Sequence, residues 1–412
     1  MAVRPFLSNQ KWISLNLYKS DGGSPSLDVI KKPFLRLILA LVISAGALVL
    51  RLYAASSLIT DYDESVYVPI ALDYANFIRE GDLKGLVWYR ENLEHPVFQK
   101  ILYGLVLLTQ DPLKEIFPHD LPELTPLNQV DAKPWLLALR QFSALLSAVG
   151  IFFLGLLHPA AAVFLGIQTV AIRYTSQAYL ESLPTMCILI SYYCFVKMIR
   201  LADLDLKKWL WLSGSAIFLA GAVASKYPYG LPGLAIGMGW IFHFGSRYKQ
   251  CAKRVFPPVI AGVISLIFFF MLDPIVWVRS WDRFWESLAF HFNYTGRHYV
   301  ISAALPYYHA LSVLITPVPQ KYPEISSAFF IQLDFLIAVL ALVGLVRTAR
   351  REPVVMLWTV LCLVFLIGWQ TRWDQHVLII LPALSICAAN GLVWLYDYLR
   401  SRLHRKQKLQ QP

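Results

Sequence analysis

Charge is scarce in this sequence. Asp, Glu, Lys and Arg make up 15% of its 412 residues, whereas 57% are hydrophobic and the mean hydropathy is +0.52. A soluble protein of this composition would aggregate, which argues against a soluble globular fold. The sequence also contains no low-complexity tract, no repeating period and no polar run long enough for a separate soluble domain. A single membrane-embedded domain is the simplest description.

Cysteine is scarce as well. The five cysteines, at positions 187, 194, 251, 362 and 387, lie in apolar runs or in one basic connection. Their number is odd and they form no closely spaced ligand set. The pattern therefore argues against a disulfide framework and against a zinc cluster.

Long apolar runs are what the sequence has in abundance. A hydrocarbon core about 30 Å thick requires roughly 17 to 25 apolar residues per helix, and such runs recur from Pro33 almost to the C-terminus. The sequence predicts an all-α polytopic membrane protein, a bundle of about ten transmembrane helices. The predicted spans lie near 34–55, 134–157, 159–173, 180–199, 208–225, 228–245, 255–273, 329–346, 353–369 and 376–397.

The net charge of +11 could indicate nucleic-acid binding, but its distribution favours a membrane. Lys and Arg cluster in short connections and tails, within 31–32, 197–208, 247–254, 347–351 and 400–408, which is the positive-inside pattern. This predicts a cytoplasmic tail over 1–33, a membrane domain over 34–397 and a basic cytoplasmic tail over 398–412. Loops 56–133 and 274–328 then face outward from the cell membrane, with no nucleic acid as partner.

Two segments of the first external loop have helical character. In the stretch that follows Glu64, apolar residues from Val66 to Ile78 recur at helical spacing, which predicts an amphipathic helix along the membrane interface. The stretch from His95 to Leu108 is apolar but has only about fourteen residues, and it is predicted to return towards the membrane without crossing it.

The tetrapeptide Asp61-Tyr62-Asp63-Glu64 places three carboxylates directly after the first apolar run. A solvated carboxylate or a helix cap is the favoured interpretation of Asp61. For Asp63 and Glu64 a catalytic role is favoured, since adjacent acids beside the end of a span are not needed for solubility. Glu94 and His95 are evenly balanced between a binding role and the start of a helix.

Other ionisable residues lie at the ends of apolar spans. An ionisable group at the bilayer centre costs on the order of 2.5 to 3.5 kcal/mol, so such residues are expected to pair or to line a wet cavity. Further polar residues in the two external loops suit a sugar or a lipid headgroup. The candidate binding residues of the spans and loops are Glu94, His95, Lys100, Arg173, Glu181, Lys226, His291, Arg297, Tyr308, Arg372 and His376.

A cavity with acids on one wall and cations on another suits the departure of a sugar from an anionic phosphate. Cations would hold the phosphate, and a carboxylate would take the proton of the acceptor hydroxyl. A transporter or flippase of lipid-linked sugars is the alternative. Transporters often contain an internal repeat that relates their two halves, and this sequence shows no such repeat. A divalent metal at Asp63 and Glu64 is possible, but no cofactor is required.

Several segments resemble the GT-C fold glycosyltransferases related to protein O-mannosyltransferases and to the aminoarabinose transferase of lipid A. The segments are Asp63-Glu64 after the first span, Glu94-His95-Pro96, LRQFSALLSAVG from Leu139, RYTSQAYLESLP, SKYPYG and RWDQHVLIILPAL. They occur in the family's order over most of the chain. Val97 replaces the family's second proline, Glu181 replaces its usual aspartate, and the loop after Asp273 is too short for a lectin-like insert.

The resemblance implies transfer of a sugar, mannose by family majority, from a polyprenyl-phosphate donor to an extracytoplasmic hydroxyl of a protein, lipid or glycan. It assigns Asp63 as the catalytic base and Glu64 as its partner. It assigns Glu94 and His95 to the donor site. Lys226, Arg297, Tyr308 and Arg372 are expected to face the phosphate or the sugar, and membrane lipids are further partners.

Overall fold

The computed structural model describes residues 33–109, 126–201, 205–244, 251–278, 280–294, 296–303 and 305–409. The predicted N-terminal tail, apart from Pro33, lies outside these residues, as do positions 110–125 of the first loop and the last three residues. All regular structure in the described part is helical, and the prediction of an all-α polytopic membrane protein is confirmed.

Eighteen α-helices follow one another within the described residues. In chain order, α1 to α18 are Pro33–Ser57, Tyr62–Glu80, Leu83–Trp88, Phe98–Leu107, Pro126–Leu157, Pro159–Ile167, Thr169–Ser176, Ser182–Ile199, Leu206–Val223, Gly230–Gly239, Cys251–Leu272, Ser280–Tyr294, His298–Ala303, His309–Ile315, Val318–Lys321, Asp334–Arg351, Pro353–Gly368 and Leu381–Leu409. Short 3₁₀ helices lie at Tyr227–Tyr229, Pro274–Trp277, Pro323–Ala328 and Asp374–Ile379.

Four of the described helices are long and apolar enough to cross a membrane: α1, the Pro134–Leu157 part of α5, α8, and the Arg254–Leu272 part of α11. The helix α8 is the most enclosed of the four, whereas α1 and α11 present mostly exposed apolar side chains. Exposed apolar helix surface of this extent is what lipid contact requires and water would penalise.

Several predicted spans have different boundaries in the structure. The span predicted at 329–346 begins later, as α16 at Asp334, because the chain is non-helical over residues 329–333 and Phe329 is extended. The span predicted at 228–245 is α10, which is preceded by a 3₁₀ turn and ends in a π-helical turn over Trp240–Phe244. The last predicted span starts with Asp374–Ile379 and continues as α18 well beyond residue 397.

The span predicted at 159–173 is two helices, α6 and α7, separated by Gln168 in an extended conformation (φ −62°, ψ 125°). A carboxylate from another helix accepts hydrogen bonds from donors at the start of α7. Asp334 of α16 accepts from the Thr169 N–H at 2.9 Å and from its hydroxyl at 3.0 Å. A negative charge at a helix N-terminus interacts favourably with the helix dipole.

On the other side of this break, a guanidinium donates to carbonyls at the end of α6. Arg51 of α1 is fully buried and donates to the carbonyls of Gly166 at 3.0 Å and Leu165 at 3.4 Å, in the last turn of α6. Its Nε donates to the hydroxyls of Ser147 at 2.9 Å and Thr175 at 2.8 Å. A broken helix at membrane depth needs such internal partners, and here each charge has the sign that its helix end prefers.

The substitution Arg51→Gln should destabilise the protein by on the order of 3 kcal/mol, because it leaves buried carbonyls without a charged donor. Thermal unfolding in detergent measures this loss. Arg400→Gln, at an exposed position of α18, is the control and should unfold like the parent. Equal melting temperatures for the two variants would contradict the assigned role of Arg51.

The segment that follows α1 packs α2 against α4. The buried side of α2 is wider than the predicted apolar stripe, since Val68, Ala71 and Ala75 are enclosed as well. The two helices approach closely at Gly104, where a Cβ atom would lie 2.8 Å from the Cβ of Tyr74. The ten residues of α4 span about 15 Å, too short to cross a hydrocarbon core.

Candidate active site

The acidic tetrapeptide forms the start of α2. Asp61 is its N-cap and accepts a hydrogen bond from the Tyr62 N–H at 2.7 Å, while the Glu64 carboxylate accepts from the Asp61 N–H at 3.0 Å. The Asp61 side chain also accepts from the Glu64 N–H, and these reciprocal contacts between Asp61 and Glu64 form a capping box. The Asp61 carboxylate also pairs with Nη2 of Arg173 at 2.9 Å. Asp61 is therefore a cap and an ion-pair partner together.

Glu64 is fully buried, and its two carboxylate oxygens are engaged. Nε and Nη2 of Arg140 donate to the two oxygens at 2.7 Å and 2.6 Å, a bidentate pair. The Ala178 N–H adds a third donor at 2.7 Å. Together with the Asp61 N–H, these contacts leave Glu64 little capacity to bind a substrate.

Arg140 had not been singled out from the sequence, although it lies in one of the family-like segments. Besides Glu64, its guanidinium donates to the carbonyls of Ala55 at 2.9 Å, Leu58 at 2.7 Å and Ile59 at 2.9 Å, where α1 ends. Arg140 thus joins the end of α1 to the start of α2. The available signal was an arginine inside an apolar run, which at membrane depth must have partners.

Asp63 differs from Glu64 in its surroundings. It is partly exposed, and its Oδ2 accepts from Nε2 of Gln375 at 3.3 Å. Burial of the carboxyl raises its pKa from 3.8 to about 7, and the charge of Glu181 adds to this effect while Lys226 opposes it. Asp63 therefore gains and loses its proton near neutral pH.

Glu181 and Lys226 form a buried ion pair at the same end of the bundle. Glu181 lies just before α8 and is 1% exposed; Lys226 follows α9 and is 5% exposed. One oxygen of Glu181 has no hydrogen-bond partner among the described residues. The pairing agrees with the prediction that ionisable residues at span ends find partners.

Lys100 stabilises the loop that carries Glu94 and His95. Its ammonium is buried and donates to the carbonyl of Asn92 at 2.7 Å, to the Asn92 side chain at 3.0 Å and to the carbonyl of His95 at 2.9 Å. Burial lowers the pKa of Lys100 to about 8, against the opposing charges of Glu94 and Asp273. Asn92 has φ +53°, a conformation unfavourable for most residues.

His95 and His291 lie near Lys226. The ring centroids of the two histidines are 5.9 Å apart, and Nε2 of His291 lies 2.9 Å from the Glu94 carbonyl. Burial lowers the pKa of His95 well below 6.5, and the charges of Lys226 and Lys100 lower it further. Burial also lowers the pKa of His291, although Glu94 opposes this. Both rings are therefore neutral at pH 7 and act as hydrogen-bonding groups.

A second polar cluster centres on Asp374, which the sequence did not single out. Its carboxylate is 2.7 Å from Nζ of Lys321, 2.7 Å from Nε2 of His309 and 3.1 Å from the hydroxyl of Tyr322. Burial raises the pKa of Asp374, but hydrogen bonds and charge from Lys321 and then His309 outweigh it, so the pKa lies below its ordinary value.

Arg173 links this cluster to the start of α2. Its guanidinium carbon lies 4.1 Å from the ring centroid of Tyr322, a cation–π contact, while Nη2 binds Asp61. Its Nε and Nη1 are buried and have no partner among the described residues. Arg173 is thus held in place, and two of its buried nitrogens have unused hydrogen-bond capacity.

Three predicted residues lie apart from these contacts. Arg297 is exposed and stacks over Phe290 at 5.0 Å, and Tyr308 is exposed beside Tyr307. Arg372 donates to the Leu305 carbonyl at 2.6 Å. It lines a cavity of about 330 Å³ together with Val300, Ile301, Ala303, Leu305, Gln370, Thr371 and Trp373.

One segment of the chain lines this cavity and also carries His376, which lies near His291. The Thr371 carbonyl lies 2.9 Å from Nδ1 of His376, so the loop 370–376 contributes residues to both. The predicted residues that share the polar end of the bundle are therefore Asp63, Glu64, Glu94, His95, Lys100, Arg173, Glu181, Lys226, His291 and His376.

A metal at Asp63 and Glu64 fits poorly with these contacts. Glu64 already accepts from Arg140, Ala178 and Asp61, and would have to give up donors to ligate an ion. In the described part of the chain, no group of three or more His, Cys, Asp or Glu residues is arranged to hold a metal.

The fold is similar to that of two solved membrane-protein structures. No family model and no curated protein matches this chain. Two crystal structures of ArnT from Cupriavidus metallidurans are similar to it. The apo form shows 17% sequence identity and a TM-score of 0.54, covering 85% of this chain and 59% of ArnT. The form bound to undecaprenyl phosphate shows 16% identity and a TM-score of 0.50, covering 87% and 59%. This chain thus spans about three fifths of the ArnT length.

The two adjacent acids should respond oppositely to neutralisation. Glu64→Gln should destabilise the protein by on the order of 3 kcal/mol, since it leaves the Arg140 charge buried and unpaired. Asp63→Asn at pH 8 should maintain or raise the melting temperature, because the folded state no longer has to ionise a carboxyl whose pKa is raised. Thermal unfolding of both variants measures this. A larger loss for Asp63→Asn would contradict the division of roles.

Proposed function

We propose that this protein is a membrane glycosyltransferase that moves a sugar from a polyprenyl-phosphate donor to a hydroxyl acceptor. The observation that carries the proposal is Asp63. It is a partly exposed carboxyl with a pKa raised to about 7, held beside a neighbour that is fully engaged in structural contacts. The likeness to ArnT, which was crystallised with undecaprenyl phosphate, supports a polyprenyl phosphate as the donor lipid.

In the proposed reaction Asp63 is the general base. Its carboxylate takes the proton of the acceptor hydroxyl while the hydroxyl oxygen bonds to the anomeric carbon of the sugar. The bond from that carbon to the phosphate oxygen breaks, and the polyprenyl phosphate leaves with the electron pair. Attack from the face opposite the leaving group inverts the anomeric centre. A base with a pKa near the working pH is well suited to this transfer.

The leaving phosphate needs positive charge and hydrogen-bond donors. Arg173 supplies two unpartnered N–H groups, and the buried Lys226 supplies a second cation near Asp63. The neutral ring of His95 adds a donor without further charge. His291 donates its Nε2–H to the Glu94 carbonyl and so holds the loop that carries Glu94 and His95. Glu94 belongs to the same loop and completes the proposed donor side.

Glu64 and Lys100 act as positioning residues in this account. The Glu64 ion pair fixes the first turn of α2 and with it Asp63. Lys100 fixes the loop that carries Glu94 and His95. The reaction is written without a metal ion because Glu64 is occupied by Arg140, and transfer after complete chelation would test that choice.

The site is proposed to face the outside of the cell membrane. The helices α8, α16 and α18 each begin at the polar end of the bundle and end with basic residues, which the positive-inside pattern places in the cytoplasm. Both chain termini are then cytoplasmic, with 34–397 as the catalytic membrane domain. Mannose is the first sugar to test, and a protein, lipid or glycan hydroxyl is the acceptor class.

Transfer of labelled sugar should require Asp63. Purified protein in liposomes is given synthetic polyprenyl-phosphate sugars, with a crude membrane extract as acceptor. The parent should label an acceptor, and Asp63→Asn should lower the rate about 10²- to 10⁴-fold, the usual contribution of a general base. Glu80→Gln, at the exposed far end of the same helix, is the matched control and should be as active as the parent.

Two results would count against the proposal. Native rates with Asp63→Asn would exclude Asp63 as the base. Movement of the lipid-linked sugar across the bilayer, with no transfer to any acceptor, would instead support a flippase.

The pH dependence of kcat/KM should report the Asp63 carboxyl. Activity should fall as pH drops through about 7, where Asp63 takes up a proton, instead of near 4. Glu181→Gln should move this acidic limb to lower pH, because the negative charge of Glu181 raises the Asp63 pKa and its loss leaves Lys226 unopposed. Lys226→Met should move the limb upward. An acidic limb that stays fixed in both variants would show that another group controls it.

A further inference from the structure

The helix α12, Ser280–Tyr294, has three faces with different chemistry. At 100° per residue its side chains separate into an apolar face, an acidic and polar face, and a face turned towards the protein. The apolar face contains Trp281, Phe284, Trp285, Leu288 and Ala289. The second contains Asp282, Glu286 and Asn293, and the third contains Arg283, Ser287, Phe290, His291 and Tyr294.

Contacts to the first external loop fix the orientation of the helix. Arg283 is 4% exposed and Ser287 is 2% exposed. The Ser287 hydroxyl donates to the Glu94 carbonyl at 3.2 Å, and Nε2 of His291 lies 2.9 Å from the same oxygen. The third face is therefore a wall of the candidate site, and the other two faces point away from it.

The apolar face is exposed to an extent that water would penalise. Trp281 is 74% exposed, Trp285 is 57% exposed and Phe284 is 42% exposed. An amphipathic helix on a soluble protein turns such residues inward and its charges outward. In α12 the aromatic residues point outward, while a buried arginine, a serine and a histidine point inward.

The second face is the one suited to water. The Glu286 side chain is 43% exposed and lies 3.9 Å from the exposed Arg90 and 3.4 Å from the buried Arg283, so its carboxylate lies at the boundary between protein and solvent. It lies about 100° around the helix from Trp285. The boundary between apolar and charged surface therefore runs along the length of α12.

The exposed aromatic surface continues the lipid-facing surface of α11. Ile267, Met271 and Trp277 are each more than half exposed and lead from the end of the span at Leu272 to Trp281. Between them, Ile275 and Val276 are buried against the protein. Since α12 starts eight residues after the span ends, it lies at the depth of the headgroups, where tryptophan is preferred.

We propose that α12 lies in the membrane interface, with Trp281, Phe284 and Trp285 in contact with lipid, Glu286 facing water and Ser287 facing the candidate site. Lipid of one leaflet and the polar site then lie on opposite sides of a single helix. This inference requires only that the chain spans a membrane, so it stands independently of the proposed reaction.

Spin-label accessibility tests the three faces directly. Trp281→Cys, Trp285→Cys, Glu286→Cys and Ser287→Cys are made in a Cys251→Ser background, because Cys251 is exposed and the other four cysteines are buried. The labelled proteins are placed in phosphatidylcholine and phosphatidylglycerol vesicles. Oxygen, which concentrates in lipid, should relax the labels at 281 and 285 more than a water-soluble nickel chelate does. The order should reverse at 286, and 287 should be poorly accessible to both.

Two outcomes would overturn the proposal. Preferential access of the nickel chelate at 281 and 285 would place the helix in water, and exclusion of both reagents there would show that another protein or a second copy covers it. If the labelled variants fold poorly, quenching of native tryptophan fluorescence by lipids brominated near the headgroup replaces the test. The double substitution Trp281→Phe and Trp285→Phe should reduce that quenching, and unchanged quenching would contradict lipid contact.

Discussion

The rest of the candidate site depends on the buried ion pair between Glu64 and Arg140. The guanidinium directs its donors to both Glu64 oxygens and to three carbonyls where α1 ends, while the Ala178 N–H reaches the same carboxylate. A buried pair with every partner satisfied fixes geometry even where its net contribution to stability is small. Because Asp63 immediately precedes Glu64, its position follows from that pair.

Oppositely charged side chains also maintain the shape of the bundle at a distance from the site. Arg51 and Asp334 lie on either side of the break at Gln168 and satisfy the helix ends that the break exposes. The short helix α7 that results carries Arg173 in its last turn. The same physical requirement, that polar groups at membrane depth have internal partners, therefore links the broken span to the proposed phosphate side.

The sequence predicted the elements with strong local signals. Apolar runs indicated the helices. Acids and cations at the ends of these runs indicated that the polar residues gather at one end of the bundle, and the contact between Glu181 and Lys226 agrees with this. Local pattern alone does not separate the roles of Asp63 and Glu64, because the two acids are adjacent. The family resemblance makes Asp63 the base, and the contact of Glu64 with the distant Arg140 gives the physical distinction. The Asp374 cluster was missed for the same reason, since Lys321 and His309 come from other segments.

Other features depend on packing that has no pattern along the chain. No proline marks the break at Gln168 in the sequence. The side chains that hydrogen-bond to the helix ends at this break come from α1 and α16. Residue spacing separates the three faces of α12, but only the contacts to Glu94 show which face turns towards the protein. By contrast, the short length of α4 was readable directly, because helix length follows from residue count.

The protonation of Asp63 is the central physical claim, and infrared spectroscopy can measure it without any assumption about substrate. The carbonyl band of protonated carboxyl groups is recorded against pH for the parent and for Asp63→Asn in lipid. Other buried carboxyl groups contribute to the same band, so the difference between parent and variant is what reports Asp63. The account predicts a component that disappears as pH rises through about 7 in the parent and that is missing from Asp63→Asn. A difference component that disappears near pH 4, or identical titrations of parent and variant, would contradict it.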